Sequence, residues 1–216
     1  MKKALATFLF LSMTILGYAQ GPFRYVSPDF KAIASHHKVL AILPFDVSLS
    51  LRPGVMRNID QEELRKLEID EGKLIQSSVE SFLLDQKAQK GFSVSFQSTT
   101  TTNAILLQNE VTPFNIAKFS RAELAQMLGV DGIVYGSVNS THLMSDGYSL
   151  LVGMSGFYSP PTKVGAIVIN VADAVDGKVL WRYETFHEGW LGSTQQSVIN
   201  RLLKRSSRRF PYKKIR

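Results

Sequence analysis

The chain has 216 residues, 44% of them hydrophobic, with a formal net charge of +7, four histidines and no cysteine. The absence of cysteine excludes a disulfide framework, a thiolate zinc site, a cysteine nucleophile and a lipidated cysteine. Eight of the 25 basic residues lie from Arg201 onward with no acid among them, so the high pI describes the C-terminal end rather than the body of the chain.

The first twenty residues have the layout of a secretory signal peptide. Two lysines precede an apolar run from Ala4 to Leu16, and the small residues Gly17 and Ala19 stand before a cleavage position after Gln20. The run is shorter than the roughly 20 residues that a membrane-spanning helix needs, and no later stretch reaches that length. We therefore predict a signal peptide at 1–20 and a periplasmic or secreted mature chain without a transmembrane span.

The sequence after the signal peptide predicts one domain at 38–207. An extended lead-in at 21–37 precedes it, and a basic tail at 208–216 follows it. The lead-in contains prolines and scattered aromatic residues without periodicity. It ends in His36-His37, which we interpret as a surface pair, because adjacent side chains in a strand point to opposite faces and cannot chelate one ion together.

The first half of the domain alternates strands and helices. Apolar runs, alternation and capping residues predict a buried strand at Lys38–Phe45, a loop at Val47–Ile59, a helix at Asp60–Gln89 broken near Gly72, a strand at Phe92–Gln97, a polar loop at Ser98–Thr102 and a short helix at Asn103–Gln108.

The stretch Phe119–Val138 predicts a complete helix followed by a central strand. Ser120 and Glu123 form a capping box, and Gly129 stands where a left-handed C-terminal residue is wanted. The run Ile133–Tyr135 then has the β-branched and aromatic character of a strand covered on both faces.

The second half predicts strands and a terminal helix. After an Asp146-Gly147 turn come strands at Tyr148–Phe157 and Lys163–Val171, a type I′ hairpin at Asp176-Gly177, and a helix opening at Ser193 with Val198, Ile199, Leu202 and Leu203 on its apolar side. The predicted fold class is α/β (α+β), a single domain with a mixed, mainly antiparallel sheet flanked by helices.

Three segments, KVLAILPF, ELAQMLGVDGIVYGSV and INVADAVDGKVLWRYE, together resemble the CsgG/LpoB-like envelope family, which includes the curli-secretion lipoprotein and the penicillin-binding-protein activator lipoprotein. The resemblance covers about Lys38 to Arg205. It implies a sheet flanked by helices, periplasmic exposure and a non-catalytic role in assembling or regulating outer-membrane-associated envelope machinery. The chain departs from the family's usual pattern in lacking the lipidated cysteine after the signal peptide.

No motif in the chain predicts a catalytic, cofactor or metal site. His142 and Asp146 flank one predicted turn, and His187 and Glu188 follow another strand, so an acid–base pair would form only if these loops met. No serine stands in the G-x-S-x-G pattern of a nucleophile elbow. We interpret Asp131 as a turn residue and Trp181 as core.

The strongest candidate contact residues are one tryptophan and seven basic residues, all in the last 27 positions of the chain. They are Trp190, Arg201, Lys204, Arg205, Arg208, Arg209, Lys213 and Lys214, with the cations predicted on the polar side of the terminal helix and beyond it. The first hypothesis is a non-catalytic envelope accessory or assembly factor that binds envelope protein partners or an anionic envelope surface, but no nucleic acid. The alternatives are a periplasmic enzyme using the loop His, Asp and Glu residues, or a small-ligand or polyanion-binding module. The oligomeric state stays open.

Overall fold

The computed structural model describes residues 22–50, 57–141, 165–187 and 195–212, with backbone alone at 140–141, 187 and 195–199. The strands are β1 (Phe23–Val26), β2 (Val39–Ile42), β3 (Asp46–Ser50), β4 (Ser95–Phe96), β5 (Gly132–Thr141), β6 (Gly165–Asp173) and β7 (Val179–His187). The helices are α1 (Phe30–Ala34), α2 (Gln61–Lys90), α3 (Thr99–Gln108), α4 (Arg121–Leu128) and α5 (Gln195–Ser207), with a 3₁₀ turn at Ile116–Lys118.

The described strands form one open, mixed, seven-stranded sheet. Its order is β1-β7-β6-β5-β2-β4, and β3 pairs with the far half of β5. The ladders among β1, β7, β6 and β5 are antiparallel, whereas β2 and β3 run parallel to β5 and β4 runs parallel to β2. The longest ladders are antiparallel, so the predicted fold class, a single α+β domain with a mixed sheet flanked by helices, is confirmed.

Helices cover the sheet on both faces. On one face, α2 and α5 enclose the larger hydrophobic cluster, in which Ile75, Val79 and Leu83 of α2 meet Trp181 and Tyr183 of β7. On the other face, α3 and α4 pack over β2 and the start of β5 in a smaller cluster. Trp181 is a core residue, as predicted.

The α4–β5 unit forms as the sequence predicts. The Ser120 hydroxyl accepts the Glu123 N–H at 3.2 Å, and the Glu123 carboxylate accepts the Ser120 N–H at 2.7 Å. Gly129 ends the helix in the left-handed conformation at φ 63°, ψ 42°. Strand β5 then runs through the middle of the sheet between β6 and β2.

Two predictions about the segment before α3 are wrong. The region 47–59 was predicted as a loop, but 46–50 forms β3, in which alternation places Val47 in the core. The predicted break of the long helix near Gly72 is absent, since α2 continues to Lys90. A Cβ on Gly72 would lie 2.2 Å from the Phe45 carbonyl oxygen, so this glycine permits close packing of helix on strand and does not end the helix.

The neighbouring elements α3 and β4 also differ from their predictions. The polar run predicted as a loop supplies the cap and first turn of α3, because the Ser98 side chain accepts the Thr101 N–H at 3.1 Å. The strand predicted at 92–97 is reduced to Ser95–Phe96, since the Ser93 N–H is bonded to the Tyr212 carbonyl instead of to a neighbouring strand.

The β6–β7 hairpin occurs where it was predicted, but its turn is not type I′. A type I′ turn needs positive φ at both central residues, whereas Gly177 (φ 73°) is the turn residue with positive φ and Asp176 is not. The connection is longer, with the Gly177 N–H bonded to the Asp173 carbonyl at 3.1 Å. The Asp146-Gly147 turn, the strand predicted at 148–157 and the cap at Ser193 lie outside the described residues.

Both ends of the described chain pack on the domain. The predicted lead-in contains β1, which pairs with β7, and helix α1. At the other end, Phe210 and Tyr212 fall within the predicted tail, yet both side chains are buried in the larger hydrophobic cluster. Residues 208–212 therefore pack with the domain because two aromatic side chains anchor them.

Candidate functional site

Helix α5 docks on the domain through one side and exposes charge on the other. Leu202 and Leu203 are buried among residues of α2, β6 and β7. Arg201, Lys204 and Arg205 lie on the opposite side and are exposed. This amphipathic pattern is the one that the sequence predicts, and it presents three cations to solvent from a rigid element.

The turn after α5 adds two further cations at fixed positions. The Arg209 N–H is bonded to the Ser206 carbonyl at 2.9 Å, and the Phe210 N–H to the Ser207 carbonyl at 3.2 Å. Phe210 is buried against Trp181, with ring centroids 5.8 Å apart. Arg208 and Arg209, immediately before this anchor, are exposed. We call the five residues Arg201, Lys204, Arg205, Arg208 and Arg209 the basic face.

The cations of the basic face are free of ion pairs in the part of the chain that the structure describes. Its five cations form none of the ion pairs found within 4.0 Å among those residues. Lys204 and Arg205 lie in the last turn of α5, where the helix dipole is negative and favours cations. The charge is thus compatible with the helix but remains available to an external anion.

Several predicted candidates cannot be placed relative to the basic face. Trp190, Lys213 and Lys214 lie outside the described residues, as do His142, Asp146 and Glu188. His187 ends β7, but its side chain is not described.

Sequence reasoning missed a buried polar cluster at the edge of the core. His37 Nδ1 lies 2.6 Å from the Tyr212 hydroxyl, and His37 Nε2 lies 2.8 Å from Asp173 Oδ1. The carboxylate can only accept, so Nε2 carries the proton that it donates to Asp173, and in the neutral ring Nδ1 accepts from Tyr212. His37 was predicted as a surface residue, and this is wrong: it is 6% exposed, whereas His36 is exposed.

This Tyr–His–Asp arrangement is a structural connection between distant segments. Its partners are separated by 136 and 175 residues, so no local spacing could have revealed it. Burial, together with the nearby Asp173 and Asp131 carboxylates, raises the pKa of the Tyr212 phenol, which therefore stays protonated as a donor. All three side chains are more than nine-tenths buried, so a substrate has no access to them.

Asp131 holds the start of β2. Its Oδ2 accepts the Lys38 and Val39 N–H groups at 2.8 and 2.9 Å. Partial burial opposes ionisation, but the two backbone hydrogen bonds and the positive charge of Lys38 outweigh it and lower the pKa of Asp131. The carboxylate thus has a structural role at the helix-to-strand junction.

A cleft of about 260 Å³ lies between α2, β3 and the start of α4. Its Arg65 is 3.3 Å from Glu68 and 3.4 Å from the Pro113 carbonyl. Its Arg121 guanidinium stacks 4.4 Å above the Tyr135 ring. Both arginines of the cleft are therefore in contact with other groups of the protein. These contacts do not form an acid–base pair in the cleft.

The described ranges contain neither a metal-binding cluster nor a membrane-spanning helix. No three His, Asp or Glu side chains lie close enough there to hold a metal ion. None of the helices in those ranges combines the length and apolar character required to cross a bilayer.

Comparison with known proteins gives distant structural similarities. No protein-family model and no curated protein sequence matches the chain. It is similar to a PelC dodecamer subunit from Paraburkholderia phytofirmans, with 13% identity, a TM-score of 0.44 and coverage of 86% of this chain and 92% of that chain. It is also similar to lipoprotein GNA1162 from Neisseria meningitidis, with 13% identity, a TM-score of 0.46 and coverage of 79% and 94%.

The C-terminal domain of LpoB from Escherichia coli is a further neighbour, with 11% identity, a TM-score of 0.33 and coverage of 73% of this chain and 93% of that chain. LpoB is among the proteins that the sequence resembles. At TM-scores below 0.5, no residue role passes from these proteins to this chain.

Proposed function

We propose that this chain is an exported, non-catalytic accessory protein of the cell envelope that acts by binding an acidic surface of an envelope protein through its basic face. The observation that supports this proposal is the cluster of five exposed cations on α5 and the following turn, without acidic partners among the described residues. The signal-peptide layout of residues 1–20 supports export.

The fixed geometry of the basic face favours recognition over general solubility. Leu202, Leu203 and Phe210 are buried, so the backbone that carries the cations is held against the sheet. A preorganised charged surface loses less conformational entropy on binding than a flexible tail does. Complementary charge also speeds encounter with an acidic partner. Lys213 and Lys214 continue this charge along the chain, and we assign them and Trp190 to the same contact.

The test compares charge-neutralised variants with a matched control. Arg201→Gln, Lys204→Gln and Arg205→Gln are combined in one variant, and Lys66→Gln, Lys73→Gln and Lys90→Gln, exposed on α2, in another. Retention on detergent-solubilised envelope protein should fall in the first variant alone. Retention of the wild type should also fall as the salt concentration rises from 0.1 to 1 M, since the screening length of electrostatic interactions drops from about 10 to about 3 Å.

A second arm distinguishes a protein partner from a lipid surface. Vesicles of anionic phospholipid replace the envelope protein, and the expected result is weaker binding to vesicles than to the protein fraction. Equal retention of both variants at low salt would contradict the proposal, and strong vesicle binding would assign the basic face to lipid instead.

A further inference from the structure

Strand β1 lies at the end of the sheet, and none of the described strands pairs with its outer edge, which we call the free edge. Among the described residues β1 pairs only with β7, with Arg24 opposite Tyr183 and Tyr25 opposite Arg182. Its side chains are exposed, including Phe23 at 54% and Tyr25 at 39%. Exposed apolar side chains on an edge strand are uncommon because such an edge invites pairing with another chain.

The direction of the backbone groups follows from one hydrogen bond. The Ser27 N–H donates to the Leu180 carbonyl at 2.8 Å. Because antiparallel pairs alternate, Phe23 and Tyr25 also point their N–H and C=O groups at β7, whereas Arg24 and Val26 point theirs away from it. The free edge therefore offers two donors and two acceptors in the row that an added strand requires.

A groove of about 790 Å³ adjoins this edge on the side where the Arg24 and Val26 side chains lie. Phe30 and Lys31 of α1 and the buried Tyr212 form part of its other wall. Arg24 and Lys31 are the charged residues of its described lining, and both are positive. The groove therefore combines apolar contact area with an unopposed positive charge.

We propose that the free edge of β1 and this groove bind an extended segment of a partner protein as an added β-strand. The bound segment places an acidic residue opposite Arg24 and an apolar residue opposite Val26, with an apolar or aromatic residue between them beside Tyr25. The inference rests on the proposed function in taking a protein as partner, but its site is separate from the basic face.

A second copy of the chain fits this edge less well. In a two-fold pairing with Arg24 opposite Arg24 of the second copy, like charges meet and Pro22 supplies no N–H. With Tyr25 opposite Tyr25, the backbone groups match, but the two grooves merge and bring both copies of Arg24 and Lys31 together without an acid. Charge complementarity thus favours an acidic segment.

The experiment uses the mature protein and a fluorescein-labelled heptapeptide with Val-Phe-Glu at its centre, the order that places Glu opposite Arg24 in an antiparallel strand. It is compared with the same peptide carrying Lys in place of Glu. Val26→Pro removes one outward N–H without touching the β7 ladder, since proline is tolerated at edge positions that face solvent. Val26→Thr is its matched control. Thermal unfolding verifies that each variant is folded.

Binding of the acidic peptide should be about tenfold weaker to Val26→Pro than to Val26→Thr, because both variants lose apolar contact but only the proline variant also loses the hydrogen bond. Arg24→Glu should weaken binding of the acidic peptide and strengthen binding of the lysine peptide. Amide hydrogen exchange at Arg24 and Val26 should slow on binding, while exchange at Phe23 and Tyr25 stays unchanged.

Equal binding of both peptides, or equal binding to Val26→Pro and Val26→Thr, would overturn the inference. Concentration-dependent dimers that Val26→Pro abolishes would assign the edge to a second copy and overturn it too. The variant that combines Arg201→Gln, Lys204→Gln and Arg205→Gln should bind the acidic peptide as wild type does. The two proposals, binding at the basic face and binding at the edge of β1, can therefore fail independently of each other.

Discussion

At the scale of single residues, polar side chains in this protein connect segments that are distant in sequence. Asp131 ties the α4–β5 junction to the start of β2, and His37 ties the lead-in to Asp173 and Tyr212. The sequence indicated a turn role for Asp131 because Gly132 follows it. Nothing in the sequence indicated that His37 is buried, because Asp173 and Tyr212 become its neighbours only when the sheet and the C-terminal segment have assembled.

The residue-scale prediction concerns acid stability. The pKa of Asp131 is lowered in the folded chain, so its contribution to the free energy of unfolding is complete above the unfolded value of about 3.9 and is lost as pH falls through the folded value. At pH 7, Asp131→Ala should lower the free energy of unfolding by about 1 kcal/mol. Between pH 5 and pH 2, the variant should lose less stability than the wild type loses.

Urea unfolding at pH 7, 5, 3 and 2 measures this effect. Asp70→Ala, an exposed position on α2, is the control and should follow the wild-type profile. If Asp131→Ala matched the wild type at neutral pH, the two backbone hydrogen bonds would contribute nothing measurable.

At the scale of elements, local signals located α2 and α4, whose N-caps are side chains and whose C-caps are glycines. Asp60 caps α2 by accepting the Glu63 N–H at 2.7 Å, and Gly91 ends that helix at φ 64°. Strand β3 was missed because an alternating five-residue run next to a proline resembles a loop until its pairing with β5 is known. The helix break predicted at Gly72 failed because the glycine serves tertiary packing, which helix propensity does not encode.

The element-scale prediction tests this packing. Gly72→Ala would gain about 1 kcal/mol of helix propensity in an exposed helix. Here the added Cβ meets the Phe45 carbonyl oxygen at 2.2 Å, and overpacking of this kind costs about 1 to 3 kcal/mol. The net effect should be destabilising, measured as a lower melting temperature, while Ser81→Ala on the exposed face of α2 should be neutral or stabilising. A stabilised Gly72→Ala would show that α2 does not approach the Phe45 carbonyl group this closely.

At the scale of the whole molecule, the fold class and the order of most elements follow from the sequence, because alternation, apolar runs and caps act locally. The amphipathic character of α5 followed in the same way. The anchoring of the C-terminal segment did not, since Phe210 and Tyr212 stand among basic residues that resemble a solvated tail. Their burial depends on the space left between Trp181, Phe92 and Phe30 in the assembled core.

This anchoring gives a prediction about truncation. Ending the chain after Ser207 removes Phe210 and Tyr212, and loss of one large buried aromatic side chain costs about 3 to 5 kcal/mol. Since domains of this size are stable by about 5 to 15 kcal/mol, the truncated chain should be largely unfolded or should melt far below wild type. The double variant Arg208→Ala/Arg209→Ala, which changes exposed positions alone, should melt like wild type; a truncated chain as stable as that variant would contradict the anchoring.

The central claim is that the basic face contacts an envelope protein, and site-specific cross-linking in intact cells tests it most directly. A photo-reactive amino acid is placed at Lys204 on the basic face or at Lys73 on the exposed side of α2. The account predicts a discrete protein adduct from Lys204 that disappears when Arg201→Gln and Arg205→Gln are added, and no such adduct from Lys73. Absence of an adduct at Lys204, or the same adduct from both positions, would contradict it.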